Sequence, residues 1–276
     1  MKNWIKKTMN CIILAVAGFV CLLFFFQHKL IWLPRHYTSD DEPLTTAVAL
    51  NYTTSQGSQR SFYIPPAANP SASPERLWVL FCGNGSLALD WADFVALAPD
   101  KHDGFLLFEY PGYGHCEGSA TPANIKESSE LALAQLARHL HMQPYEIEPK
   151  LNVIGHSIGC ASALEFDTRH PVQRVILAAP FTSLREMARR TIGWPLCWLL
   201  LHNFDNRARL AELASRTIPP HITIFHGSDD TLIPLQMGKS LAAMFPKMIA
   251  FHEVPQAGHN TIVDMAEAQI FAVMNE

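Results

Sequence analysis

The sequence predicts an α/β fold with a mostly parallel central sheet and helices on both faces. Two observations carry this expectation. From Leu77 onward, short continuous apolar runs alternate with helical patterns. One of those runs leads into Gly155-His156-Ser157-Ile158-Gly159, and a helical stretch follows it. Strands covered on both faces read as unbroken apolar runs, and parallel strands need helical crossovers between them. The 276 residues suit one globular domain plus an N-terminal addition.

Residues 1–33 read as that addition, a single-pass membrane anchor. From Thr8 to His28 there is no Asp, Glu, Lys or Arg. As a helix this run spans roughly 31 Å, close to the ~30 Å hydrocarbon core of a bilayer. Trp4 and Trp32 flank it, where interfacial aromatics belong. Ala15-Val16-Ala17 resembles a signal cleavage site, but the strongest apolar stretch, Val20 to Phe26, comes after it. The segment is therefore expected to stay attached. Lys2, Lys6, Lys7 and the amino terminus outweigh Lys29 and Arg35, which points the globular domain that follows away from the cytosol.

The globular domain, 34–276, opens with a polar, turn-rich stretch from Pro34 to Pro74. Val48-Ala49-Leu50 and Phe62-Tyr63-Ile64 are expected edge strands around Ser55-Gln56-Gly57. Leu77–Phe81, Phe105–Phe108, Leu151–Ile154, Val175–Leu177, Ile222–Phe225 and Met248–Val254 are the core strands. Helices are expected over Leu87–Leu97, Ile125–Leu140, Ile158–Thr168, Leu235–Phe245 and Thr261–Met274. Residues 181–220 break the alternation and read as a short helical lid. Within it, Trp194, Trp198 and Leu199 to Leu201 are expected to cover an acyl pocket or to rest against the bilayer.

The chemistry centres on Ser157. A serine between a strand and a helix, flanked by glycines, is exposed on a strained turn and can serve as a nucleophile. It needs a base to take its proton and an acid to orient that base. His226-Gly227-Ser228-Asp229-Asp230 ends the Ile222 strand, and Ala257-Gly258-His259-Asn260 follows the Met248 strand. Both lie at carboxyl ends of strands, where open α/β sheets place their sites. His259 is the candidate base, and Asp229 and Asp230 compete as the acid, with Asp205 in the lid a weaker contender. An oxyanion would need two N–H donors. Ile158 supplies one, and the loop Cys82-Gly83-Asn84-Gly85-Ser86 the other.

The Ser157 elbow and three further loops, in the family's order along the chain, resemble the α/β-hydrolases. His226-Gly227-Ser228-Asp229-Asp230-Thr231-Leu232-Ile233-Pro234 is similar to their His-Gly-x-x-Asp-x-x-Val/Ile-Pro segment, which implies Asp230 as the acid. Cys82–Ser86 resembles their His-Gly-Asn-x loop, which implies Asn84 as an oxyanion donor, with Cys82 in the usual histidine position. Tyr110-Pro111-Gly112-Tyr113-Gly114-His115-Cys116-Glu117-Gly118 resembles their Gly-Tyr-Gly-x-Ser-x-Gly loop. With the anchor, the chain resembles membrane-anchored α/β-hydrolase-domain serine hydrolases, a group that includes protein depalmitoylases and has esterase, lipase and peptidase relatives. The resemblance implies hydrolysis of carboxylic esters or thioesters, by Ser157, Asp230 and His259, with no metal or organic cofactor. The other readings are a non-catalytic binding or scaffold protein of the same fold and a serine peptidase.

Composition narrows the partners. A net charge of −4 without a basic stripe argues against nucleic acid. The six cysteines form no Cys-x-x-Cys pair and no metal-ligand spacing. The expected partners are an acyl substrate and the bilayer.

Overall fold

The computed structural model describes residues 2–38 and 46–276, so residues 39–45 of the turn-rich stretch lie outside the description. Eight strands form one sheet in the order β1-β2-β4-β3-β5-β6-β7-β8. They are β1 (Val48–Thr54), β2 (Gly57–Ile64), β3 (Leu77–Phe81), β4 (Gly104–Phe108), β5 (Leu151–His156), β6 (Arg174–Ala178), β7 (His221–Gly227) and β8 (Ile249–Val254). The β1–β2 hairpin and its junction with β4 are antiparallel, and every pairing from β4 through β3 to β8 is parallel. Every residue of β3 and β4 is buried. This is why their sequences show continuous apolar runs in place of alternation.

The helices are α1 (Lys2–Ile31), α2 (Ala92–Leu97), α3 (Pro122–His139), α4 (Pro144–Ile147), α5 (Ile158–Asp167), α6 (Leu184–Ile192), α7 (Asn206–Ala214), α8 (Leu235–Met244), α9 (Ile262–Met265) and α10 (Glu267–Met274). Local chemistry sets several boundaries. Thr121 caps α3 by accepting the Asn124 N–H at 3.1 Å, and Pro122 occupies the first turn. The helix expected over 87–97 starts instead as a 3-10 turn, Ala88–Trp91, where the Asp90 carboxylate takes the Leu87 N–H at 2.9 Å. The expected last helix divides at Ala266, which leaves helical geometry at φ −98° and ψ 2°.

The 181–220 stretch also divides. Its excursion begins and ends at one neck, where the Leu184 N–H donates to the Phe204 carbonyl at 2.9 Å. Ser183 caps α6 and Asp205 caps α7. No residue of α6 is fully buried, whereas α7 buries Leu210 and Leu213 and packs on α5. The cover is therefore α6 and the turn Leu196–Leu199. The helix α7 is an ordinary crossover on the sheet face, and its capping role accounts for Asp205.

The N-terminal run is helical, but it is not the straight span expected from its composition. Its two parts, Lys6–Leu22 and Phe24–Ile31, are bent by 44°. Among the described residues no single helix is long and apolar enough to cross a membrane, and only this bent pair reaches the required length and hydropathy together. Its carboxyl end is part of the domain. Trp32 is buried against Tyr110, Tyr113 and Phe204. His28 Nε2 meets the Ala120 carbonyl at 2.9 Å.

Candidate active site

The residues singled out in the sequence converge at the carboxyl edge of the sheet. Ser157 follows β5 with φ 56° and ψ −120°, a conformation that non-glycine residues rarely adopt. Two contacts force this sharp turn. A Cβ on Gly155 would come within 2.6 Å of the Gly159 carbonyl, and one on Gly159 would overlap the Phe81 carbonyl. The Ser157 N–H is held by the Ala178 carbonyl at 2.9 Å. The serine is thus locked at the mouth of β5, at the start of α5.

His259 Nε2 lies 2.9 Å from Ser157 Oγ, and its Nδ1 lies 2.8 Å from Asp230 Oδ2. With the carboxylate accepting from Nδ1–H, Nε2 is left to accept from the serine hydroxyl. Asp230 is buried, and its Oδ1 accepts the N–H groups of Leu232 at 2.9 Å and Ile233 at 2.7 Å. Burial alone would raise the Asp230 pKa. The hydrogen bonds from His259 and Ile233 outweigh it and hold the carboxyl below its ordinary value. Asp229 points to solvent and takes the Ser228 hydroxyl at 2.8 Å. The structure therefore separates the two competing acids: one holds the imidazole and the other holds a turn. Asp205 lies at the neck of the lid excursion and caps α7.

Sequence reasoning missed His156 as part of this site. It is buried, and its Nε2 donates to the His259 carbonyl at 3.0 Å. The two imidazole rings lie 5.1 Å apart. Burial, and secondarily the positive charge His259 can carry, lowers the His156 pKa to about 4. A neutral His156 pins the base's backbone without adding charge. The residue before the serine in a Gly-x-Ser-x-Gly motif is unspecified, so nothing in the pattern marks it.

Ile158 and Asn84 both face the cavity beside Ser157. Among the described residues neither backbone N–H has an intramolecular acceptor, so both remain free to receive an oxyanion. The Asn84 side chain does something else. Its Nδ2 donates to the Ile31 carbonyl at 2.6 Å, and its Oδ1 accepts from the Leu33 N–H at 2.9 Å and the Tyr113 hydroxyl at 2.7 Å. Asn84 thus fastens the end of α1 to the oxyanion loop.

Cys82 lies beneath that loop as a buried thiol, 3.7 Å from the Ser86 carbonyl, with its pKa raised by burial. The Tyr110 hydroxyl donates to the Cys82 carbonyl at 2.9 Å. The loop is therefore held from below without a histidine. Cys116 is likewise a buried thiol, exchanging 3.3 Å contacts with the Arg60 N–H and carbonyl. Next to these groups, Glu109 is buried and accepts from the Tyr37 hydroxyl at 2.6 Å and the Ala88 N–H at 3.2 Å. Burial pushes its pKa up to about 8.

A cavity of about 550 Å3 opens from Ser157 toward the lid. Its lid wall includes Leu184, Met187, Leu199 and Leu200. The apolar cluster expected to cover an acyl pocket or to rest against the bilayer divides, and Leu199 and Leu200 line the cavity. Trp194 and Trp198 are 74% and 62% exposed and do not line the cavity; Trp198 instead lies under the Arg185 guanidinium at 4.5 Å. The turn directs its leucines inward and its indoles outward. Among the described residues no cluster of metal-ligating side chains is present.

The Alpha/beta hydrolase family model matches residues 78–214. An uncharacterized protein of Mycobacterium tuberculosis, Rv2307c, is 28% identical over 90% of this chain and 85% of its own length. Human alpha/beta hydrolase domain-containing protein 17B is 24% identical over 69% of this chain and 63% of its own. Among solved structures, a Pyrococcus furiosus esterase superposes with a TM-score of 0.62 at 14% identity, covering 88% of this chain and 95% of that one. At that identity the likeness establishes the fold alone. The family match over residues 78–214 and the sheet topology give the chain an alpha/beta hydrolase fold.

Proposed function

We propose that the protein is a membrane-anchored serine hydrolase that cleaves carboxylic esters or thioesters through an acyl-enzyme. The observation that carries this reading is the chain of two hydrogen bonds from Ser157 through His259 to Asp230. Ser157 Oγ attacks the acyl carbon while His259 Nε2 takes its proton. The N–H groups of Ile158 and Asn84 receive the tetrahedral oxyanion. His259 then protonates the leaving alcohol or thiol as its bond to the acyl carbon breaks. Water, deprotonated by the same imidazole, attacks the acyl-enzyme and releases the acid and Ser157. Asp230 stays ionised throughout and stabilises the imidazolium. A non-catalytic relative would have no need to keep all three groups in this alignment.

The cavity's lining supports an apolar acyl group, since it holds no Asp, Glu, Lys or Arg. The bent helix α1 serves as the anchor, and the basic residues in its first two turns favour a domain outside the cytosol. A fluorophosphonate probe should label Ser157 stoichiometrically in the full-length protein. Absence of labelling on folded protein would overturn the hydrolase reading. The anchor is tested separately: the protein should stay with membranes after high-salt and carbonate washes, and release into the supernatant would refute it.

A further inference from the structure

We propose that the last two turns of α1 are a wall of the acyl-binding site, so that a fatty acyl chain reaches Ser157 from the bilayer through the gap between α1 and α6. This rests on the ester or thioester hydrolase reading and adds where the acyl chain lies. Gln27, Leu30 and Ile31 line the same cavity as Ser157 and the α6 residues Leu184 and Met187.

Two sets of hydrogen bonds give this wall a defined position. Toward the lid, Gln27 Nε2 donates to the Leu199 carbonyl at 3.3 Å, and Gln27 Oε1 accepts the Leu201 N–H at 2.8 Å. Toward the catalytic loop, Asn84 holds the Ile31 carbonyl and the Leu33 N–H. The same asparagine that offers its backbone N–H beside Ser157 therefore grips the end of the helix. A tether that only kept the domain near a membrane would need neither contact.

The occupant follows from the surface that continues outward from the cavity. Phe25, Phe26 and Leu30 are exposed along these turns of α1, and Leu201 and Trp198 are exposed on the part of the lid that Gln27 holds. An apolar chain leaving the bilayer along this face would meet apolar side chains until it reached Ser157. A hydrophilic substrate arriving from water would gain nothing from that path.

The test uses full-length protein in nanodiscs, assayed on p-nitrophenyl butyrate and octanoate. The variants are Leu30→Trp, which fills the cavity from the α1 side, Leu30→Ala, and Ile13→Trp, an exposed α1 position away from the cavity. Leu30→Trp should lower kcat/KM for octanoate relative to butyrate by about tenfold or more, up to about 200-fold if room for four methylenes is lost. Leu30→Ala should shift the ratio less, and Ile13→Trp not at all. An unchanged ratio in Leu30→Trp, with probe labelling of Ser157 intact, overturns the proposal and leaves the hydrolase reading standing. A second arm does not need turnover. Palmitate bearing a terminal diazirine is photocrosslinked to Ser157→Ala protein in the same nanodiscs. Crosslinks within Leu184–Ile192 that Leu30→Trp abolishes support the proposal, and crosslinks there that ignore Leu30→Trp overturn it. If wild type cleaves neither ester, only the hydrolase reading fails, because the crosslinks still report on the wall.

Discussion

Ser157, Asp230 and His259 stand on turns at the carboxyl ends of β5, β7 and β8, while the surfaces facing them across the cavity come from α1, α6 and the Leu196–Leu199 turn. The first group rests on β5 and β7, buried almost throughout, and on the more open β8, and its members are fixed by backbone hydrogen bonds and by one another. The second group is thin. The helix α6 buries no residue fully, and on the α1 side the lid is held mainly by Gln27. A triad needs its atoms fixed to within a few tenths of an ångström, so it belongs on the sheet. An acyl chain needs only apolar volume, which a loosely held cover can supply and can open to admit substrate.

This contrast makes changes to the floor costly and changes to the roof mild. The largest effect is expected for Ser157→Ala, which should lower kcat by about 10⁴-fold or more and abolish probe labelling while thermal stability is retained. Retained labelling would show that the reactive serine lies elsewhere. Next comes the pair of acids. Asp230→Asn should cost on the order of 10³- to 10⁴-fold in kcat, because an amide cannot hold the imidazole in the same tautomer. Asp229→Asn, at an exposed turn, should cost less than tenfold. Equal losses in steady-state assays would contradict the hydrogen-bond assignment.

Glu109 tests the floor's packing without touching its chemistry. Its pKa of about 8 lies above the ordinary 4.5, so the folded state keeps a proton that the unfolded chain releases. Stability from this group is complete below about pH 4.5. It declines as pH rises by up to about 1.4 kcal/mol per unit and is exhausted above pH 8 or so. Glu109→Gln keeps the shape and removes the titration. The fall in Tm between pH 6 and pH 9 should therefore shrink by several degrees relative to wild type, measured by scanning calorimetry. An identical fall in both proteins would mean that the carboxyl ionises without penalty.

The smallest effect probes the roof. Gln27→Ala removes two hydrogen bonds between α1 and the lid, worth about 1 kcal/mol each at most. Hydrogen exchange at Leu199 to Leu201 should speed up several-fold while global Tm moves by no more than a few degrees. Exchange as slow as in wild type would show that the lid is held by its own packing.

Much of the floor was legible in the chain itself. The apolar runs mark the parallel strands because burial on both faces leaves no polar alternation, and the helical periods between them mark the crossovers. The flanking strand and helix turn a short glycine–serine pattern into an elbow, and the positions of the acid and base loops follow from strand order. Other features had no local signal. The sequence left Asp229 and Asp230 as equals without the family resemblance, since adjacent residues differ only in which way the turn points them. His156 gained its part only when β5 and the loop after β8 came together, and Asn84 gained its second role only when α1 docked.

The roof was read less well because its residues are apolar whichever way they face. Composition alone marked Trp194, Trp198 and Leu199 to Leu201 as one cluster, whereas the tertiary structure turned Leu199 and Leu200 inward and the indoles outward. Composition likewise marked Thr8 to His28 as membrane-compatible, since hydropathy depends only on which residues are present. That its last turns line the cavity beside Ser157 depends on contacts between residues more than fifty positions apart, which no local pattern encodes.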